Sequence, residues 1–331
     1  MATQVLRSAL VGCAGIGAMH ARAYKPCNNI RLAAVVDVKR ETADKLAAEH
    51  GVKAYFDVET ALQDPNIDVI DVAAPTKFHA SIATQAAAAG KHCICEKPIA
   101  INADEYQMMA EAFRRSGTTF GGIFQHRFSD DADLLLSKIG TEQLGGNLKG
   151  SSVTNWWRDA AYWLAPGRGS YATAGGGVLM VHAIHAIDLI VNLLGEPVCV
   201  SASINFTGQP EGVEVENTAI ASIEFKTGAL ARIMASTNIW SPLYPTPSKK
   251  MDHMALVETH KIAVTGDKDS WMFKTPPQPL EELFAANLDD FASSAITGKT
   301  PIVSGDSAWR TVNLIQRMYE SARNGGTRVD I

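Results

Sequence analysis

The sequence predicts an α/β chain in two parts: a doubly wound parallel sheet, then an α+β domain built on a large, mostly antiparallel sheet with one open face. Three observations predict it. Residues 7–120 alternate short apolar runs with alanine-rich helical stretches. From Gly145 onward the runs lengthen and alternate apolar with polar. A chain of 331 residues, 46% of them hydrophobic, also has material for two cores.

In the first part VLRSALVG reads as a strand, followed by a helix from about Gly15 to Tyr24. IRLAAVVDV precedes the helical KRETADKLAAEHG, IDVIDVAAP precedes HASIATQAAAAG, and KHCICEKP precedes NADEYQMMAEAFRRSG. Each strand candidate is apolar on both faces, as in a parallel sheet covered by helices on both sides. TFGGIFQ is the next strand and the exit, placing the boundary between domains 1–123 and 124–331. In the second part NLKGSSVTNWW, EPVCVSASINFTG, VENTAIASIEFKTG, ALARIMASTNIW and ETHKIAVTGDKDSWMF read as strands, with one helix in GGGVLMVHAIHAIDLIVNLLG. SPLYPTPSKK and KTPPQPL read as surface loops. The last helix, about 307–323, is expected to pack back on the first domain. Outward residues such as Met234 and Ile239 fit a homodimer or homotetramer formed through the sheet.

The formal net charge of −5, with 20% charged residues, supplies no basis for binding nucleic acid or an anionic membrane. No apolar run reaches the ~18 residues of a membrane span, and the N-terminus reads as a polar start running into a strand. A cytoplasmic setting is the expectation. The cysteines Cys13, Cys27, Cys93, Cys95 and Cys199 are odd in number and irregularly spaced, as suits reduced thiols.

The first strand runs into Gly12-Cys13-Ala14-Gly15-Ile16-Gly17, and Asp37 stands at the end of the second strand. A glycine turn entering a helix lets backbone N–H groups meet a pyrophosphate, and an acid at the next strand's tip can bond a ribose. That is the Rossmann arrangement. Ala14 replaces one glycine, which an ordinary backbone conformation tolerates. The carboxylate of Asp37, with Val38 beside it, suits a free 2'-hydroxyl and repels a 2'-phosphate, favouring NAD over NADP. Lys39 and Arg40 could clamp a phosphate or simply be solvated.

Three further elements follow in order: Ala74-Pro75-Thr76-Lys77-Phe78-His79, then Glu96-Lys97-Pro98, then Gly175-Gly176-Gly177-Val178-Leu179-Met180 leading to His185 and Asp188. Together with GCAGIGAMHARAY they strongly resemble the glucose-fructose oxidoreductase, inositol dehydrogenase and MocA family of NAD(P)-dependent oxidoreductases, across essentially the whole chain. The resemblance implies a Rossmann domain, an open-faced α/β domain, and a substrate held at the nicotinamide. It makes Lys97 catalytic, with Pro98 in a cis bond, and His185 the other catalytic residue. It also implies that Pro75, Thr76 and His79 line the cofactor and that Gln125 reaches the nicotinamide side. Ala74, Glu96 and Arg168 join the expected cofactor set. Many relatives carry Asp four residues before the catalytic histidine, where this chain has Val181; another branch carries asparagine and glutamine where Val181 and His182 stand. Trp157-Arg158-Asp159, Tyr162 and Arg168-Gly169 resemble that second branch, leaving the substrate open.

Oxidising a secondary alcohol requires a base for the hydroxyl proton. A lysine near an apolar strand end and a positive nicotinamide has reason for a lowered pKa, so Lys97 could shuttle the proton, or orient the hydroxyl while His185 takes it. Glu96 could hold Lys97 or the cofactor, or cap the next helix. Trp157, Arg158, Tyr162, His182 and His185, with Lys97, form the expected substrate set, suited to a sugar ring. His182, His185 and Asp188 could be read as zinc ligands, but no fourth ligand is identifiable and no metal is expected. Cys93 and Cys95 alternate along a strand and read as core. Three functions remain: an NAD-dependent dehydrogenase for a ring secondary alcohol of a sugar, glycoside or cyclitol; a glycosidase working through transient C3 oxidation and elimination; and a non-catalytic cofactor-binding regulator.

Overall fold

The computed structural model describes residues 4–238, 259–272 and 278–331. In chain order the elements are β1 Leu6–Val11, α1 Ile16–Ala23, β2 Ile30–Val36, α2 Arg40–His50, β3 Lys53–Tyr55, α3 Val58–Gln63, β4 Val69–Val72, α4 His79–Ala88, β5 His92–Cys95, α5 Ala103–Ser116 and β6 Phe120–Gly122. They continue with α6 Asp130–Gly140, β7 Lys149–Asn155, α7 Ala160–Trp163, α8 Tyr171–Ala174, a π-helical turn Leu179–Ala183, α9 Ile184–Leu194, β8 Pro197–Asn205, β9 Thr218–Phe225 and β10 Leu230–Ser236. Strands β11 Thr259–Thr265 and β12 Ser270–Met272, helices α10 Leu280–Thr297 and α11 Gly305–Arg323, and β13 Val329–Asp330 complete the set. SPLYPTPSKK, most of KTPPQPL, and Ile239 lie outside the described residues.

Two units divide the chain: residues 1–128 with 278–310, and residues 129–277 with 311–331. The single cut expected after residue 123 therefore misses a return. Residues 278–310 belong with the first unit because α10 presents Leu283, Phe284, Leu288, Phe291 and Ala292 to a core of Leu6, Ile30, Val69, Ile94 and Ile123. Asp289 adds bonds of 2.7–3.0 Å to the backbone and side chain of Asn28 and Asn29. The expected pattern has no helix there, yet α10 runs for 18 residues. Helix α11, expected on the first domain, is shared: its first six residues count with the first unit and the rest with the second.

The first unit holds a six-stranded sheet in the order β3-β2-β1-β4-β5-β6, parallel at every pairing. Consecutive strands run outward from β1 in both directions, so the order reverses between β1 and β4, and in open sheets of this kind ligands bind at the carboxyl ends of the strands at such a reversal. Close approach along this sheet depends on missing side chains. A Cβ on Gly122 would stand 2.8 Å from that of Ala308 in the first turn of α11. Strand β3 and helix α3 are additions to the expected pattern, too short for periodicity to mark.

The second unit carries a seven-stranded sheet, β12-β11-β7-β10-β9-β8-β13. All its pairings are antiparallel except β10 with β7. One face is packed by α9, whose Leu194 and Ile190 come so near β7 that a Cβ on Gly150 would lie 2.8 and 3.0 Å from their methyl carbons. The other face alternates outward, exposing Ile220 on β9 and Leu230 and Met234 on β10. The span Tyr171–Leu194 is apolar enough to cross a bilayer, but 83% of its most apolar window is buried in the fold, so its hydropathy is that of a core helix.

Candidate active site

The glycine turn after β1 is shaped by contacts that admit no side chain. A Cβ on Gly12, which adopts φ +98, would sit 2.7 Å from the Ala73 carbonyl, and one on Gly17 would sit 1.9 Å from the Gly12 carbonyl. Gly15 takes φ +55 in open space, a conformation that favours glycine for backbone reasons alone. Ala14 is exposed and has no positive φ, so its backbone carries none of the strain that would demand glycine. Ile16 is also exposed at the start of α1. The cradle fits a pyrophosphate.

Asp37 closes this loop from β2. Its two oxygens accept the Cys13 N–H at 3.0 Å and the Lys39 N–H at 2.9 Å, fixing the carboxylate beside the turn. Val38 is 85% exposed next to it. Arg40 stacks its guanidinium 3.9 Å from the centre of the Phe56 ring, so aromatic packing engages it.

At the end of β4, Ala74 and Pro75 lead into a short 3-10 turn at Thr76–Phe78. Pro75 and Thr76 stay at the surface, whereas His79 is buried, with Nε2 2.8 Å from the Ala74 carbonyl and Nδ1 2.9 Å from that of Pro98. His79 thus ties the β4 and β5 strand ends together. Burial lowers its pKa, against the pull of the two carbonyls. The Lys97–Pro98 peptide is cis. Glu96 is buried and accepts the Lys97 N–H at 2.8 Å, while Lys97 itself is half-buried at the carboxyl edge of the sheet. Gln125, also buried, begins the turn after β6.

A buried charged cluster with no place in the expected site lies beneath Glu96. His20 on α1 sits between Asp71 on β4 and Glu96, fully buried. Asp71 was the readable sign, because an acid inside an all-apolar strand needs a buried partner.

In the second unit the glycine run has a packing reason. A Cβ on Gly176 would stand 2.1 Å from the Tyr319 hydroxyl, and one on Gly177 1.9 Å from the Glu216 carbonyl. The buried Glu216 carboxylate accepts N–H bonds from Gly177 and Leu179, each 2.9 Å, and the Tyr319 hydroxyl at 2.9 Å. It holds the start of the helix that carries the histidines. Burial pushes its pKa up to about 7, with these donors pulling the other way. No local signal marks Glu216, since an acid just before a strand usually reads as solvated.

The helix begins with a π-turn, an irregularity common at functional sites and invisible to spacing rules. From 179 to 191 only Val181 and His185 are not fully buried, and, four residues apart, they share the one partly open side of the helix. His182 is buried among Trp156, Tyr162 and Trp163, with ring centres 4.6, 5.4 and 6.2 Å away. Asp188 is buried and accepts the Thr311 hydroxyl at 2.8 Å. Of the two tryptophans at the end of β7, Trp156 packs on His182 with its ring tilted 44° and lies 4.4 Å from the Arg158 guanidinium. Strand β7 ends at Asn155, yet Trp156 and Arg158 N–H groups still bond the carbonyls of Ser236 and Thr237, extending the ladder by alternate residues. Arg158 and Arg168 both approach the Tyr162 ring, at 4.6 and 3.9 Å. Arg168, expected near the cofactor, therefore belongs to the same cluster as the substrate candidates. Among the described residues no three His, Cys, Asp or Glu side chains converge as a metal site.

Two family profiles match the chain: the oxidoreductase family with NAD-binding Rossmann fold over residues 6–123, and the GFO/IDH/MocA C-terminal domain over residues 139–271. Among similar proteins, myo-inositol 2-dehydrogenase of Thermotoga maritima is 28% identical over 235 residues, 69% of this chain and 67% of that one. D-glucoside 3-dehydrogenase of Escherichia coli is 28% identical over 249 residues, 70% of each chain. Levoglucosan dehydrogenase of Pseudarthrobacter phenanthrenivorans is 29% identical over 267 residues, 71% of this chain and 68% of that one. A solved levoglucosan dehydrogenase, in complex with NADH and levoglucosan, superposes with TM-score 0.88 at 22% identity over 99% of both chains, which shows a shared fold. With the dinucleotide cradle and both halves matched, the chain belongs to the GFO/IDH/MocA family and is an NAD-dependent oxidoreductase.

Proposed function

We propose that this enzyme oxidises a ring secondary alcohol of a sugar, glycoside or cyclitol, with Lys97 and His185 handling the hydroxyl proton. One observation carries the reading: Lys97 stands half-buried at the carboxyl end of β5, on the same sheet edge as the Gly12–Gly17 cradle after β1. The relatives named above act on inositol, a glucoside and levoglucosan, which supports a polyhydroxylated substrate. Gly12, Ala14, Gly15, Ile16 and Gly17 would hold the NAD pyrophosphate, with Asp37 on the ribose. Bound NAD supplies the hydride acceptor. Lys97 holds the substrate hydroxyl by hydrogen bond, and His185, the half-buried histidine of its helix, takes the proton as the hydroxyl is oxidised. The aromatic-guanidinium cluster around Tyr162 supplies an apolar face and fixed donors for a sugar ring.

The second-unit sheet is proposed to join copies of the chain as a homodimer or homotetramer. Met234 lies directly opposite Ile220 on one side and Val153 on the other, forming an apolar row across three strands of the outer face. The cysteines are all free, which fits a reducing cytoplasm.

The test mixes protein and NAD with a panel of free sugars, inositols and glycosides and follows NADH fluorescence. A signal that falls by about 10²-fold or more in Lys97→Ala supports the reading. Cleaved glycoside without NADH would replace it with the elimination mechanism, and NAD binding with neither product would leave a regulator.

A further inference from the structure

The first unit buries a charged array that the proposed chemistry does not use. Nδ1 of His20 lies 3.0 and 2.9 Å from the two Asp71 oxygens, and Nε2 lies 3.2 Å from Glu96 Oε1. Between two ionised carboxylates a neutral imidazole could donate to one side only, whereas an imidazolium donates to both. Burial opposes that charge, but the two carboxylates outweigh it and carry the His20 pKa to about 10. On the far side the Tyr24 hydroxyl donates to Asp71 at 2.8 Å and accepts from Ser8 at 2.8 Å. The Phe284 ring from α10 covers the imidazole, centres 4.8 Å apart.

Glu96 joins this array to Lys97. One oxygen meets His20 and the other accepts the Lys97 N–H at 2.8 Å. Burial works against the Glu96 charge, yet His20 and the charge of Lys97 hold its carboxyl below the usual range. The signs alternate from Asp71 through His20 and Glu96 to Lys97, and they cancel only while both cations are protonated. As a stabilising device such an array is poor, because well-packed apolar groups of similar volume commonly do as well.

We infer that His20 is a positioning residue for Lys97, acting through Glu96: its buried imidazolium fixes the carboxylate that holds the Lys97 backbone and balances the charge Lys97 experiences. The inference rests on Lys97 being the proton-handling lysine. Groups facing Glu96 are His20 from α1, His79 from α4, and Lys97 and Cys95 from its own strand end.

Competitive acetylation of the full chain, read at Lys97 by peptide mass spectrometry across pH, tests this without a substrate. In His20→Gln the Glu96 charge loses its cation, and the Lys97 midpoint rises by about one pH unit. In Glu96→Gln it falls below wild type by a similar amount. Midpoints unchanged in both variants, with NAD binding intact, overturn the inference. If His20→Gln does not fold, a His20→Gln/Glu96→Gln double variant, which removes the buried cation and anion together, decides it: a midpoint equal to that of Glu96→Gln alone supports an action relayed by Glu96, and a further change refutes it. Turnover that survives in Lys97→Ala defeats the reading of Lys97 while leaving these midpoints as they are.

Discussion

At single residues the cradle makes firm demands. Gly17→Ala would force a methyl carbon to 1.9 Å from the Gly12 carbonyl, a backbone atom that cannot rotate away. The expected result is loss of NAD binding, at least about 100-fold in Kd by titration calorimetry, because the turn must open to relieve the clash. Asp37 sets the other cofactor contact. Replacing it with Ser removes a carboxylate that repels a 2'-phosphate, so the ratio of NADP to NAD affinity should rise about 10-fold or more, measured on the same titrations. An unchanged ratio would transfer discrimination to Lys39 or Arg40.

At the scale of elements, the helix bearing His182 and His185 depends on Glu216. This carboxyl has a folded pKa raised to about 7 against an ordinary 4.5. A raised folded value means the folded state holds the proton more tightly. Glu216 therefore contributes stability fully below about pH 4.5, and that contribution is lost as pH rises through about 7, by about 3 kcal/mol at most. Tyr319 donates to this carboxylate and Tyr171 lies within its field; burial raises the pKa of both phenols. Denaturant midpoints from pH 4.5 to 7.5 should fall in the wild type and run flatter in Glu216→Gln. The amide also places an NH2 against backbone or hydroxyl donors, a cost of about 1–3 kcal/mol at every pH.

For the whole molecule, the prediction concerns assembly. The apolar row of Ile220, Met234 and Val153 is most economically covered by a second copy, since large apolar side chains left in water across neighbouring strands invite association. Met234→Glu places a charge at the centre of the row. Light scattering should show a shift toward monomer, with NAD affinity retained because the cradle lies in the other unit. An identical mass for wild type and variant would remove this face from the interface.

The sequence by itself determined the alternation of strands and helices in the first unit and the glycine turn with Asp37, because each is written in local periodicity or a short spacing, whereas Lys97 and His185 stand out only through resemblance to a family motif. Only the tertiary structure decided that 278–310 returns to the first unit, since the pattern of α10 does not name the core it completes. It also decided that Trp156 rather than Trp157 packs on His182, which the ladder beyond Asn155 sets, and that the helix opens with a π-turn. The buried partners His20, Asp71 and Glu96 lie 51 and 76 residues apart along the chain, and no local signal couples charges at such separations. Long-range pairing of this kind is a property of the folded core, where burial makes each charge depend on the next.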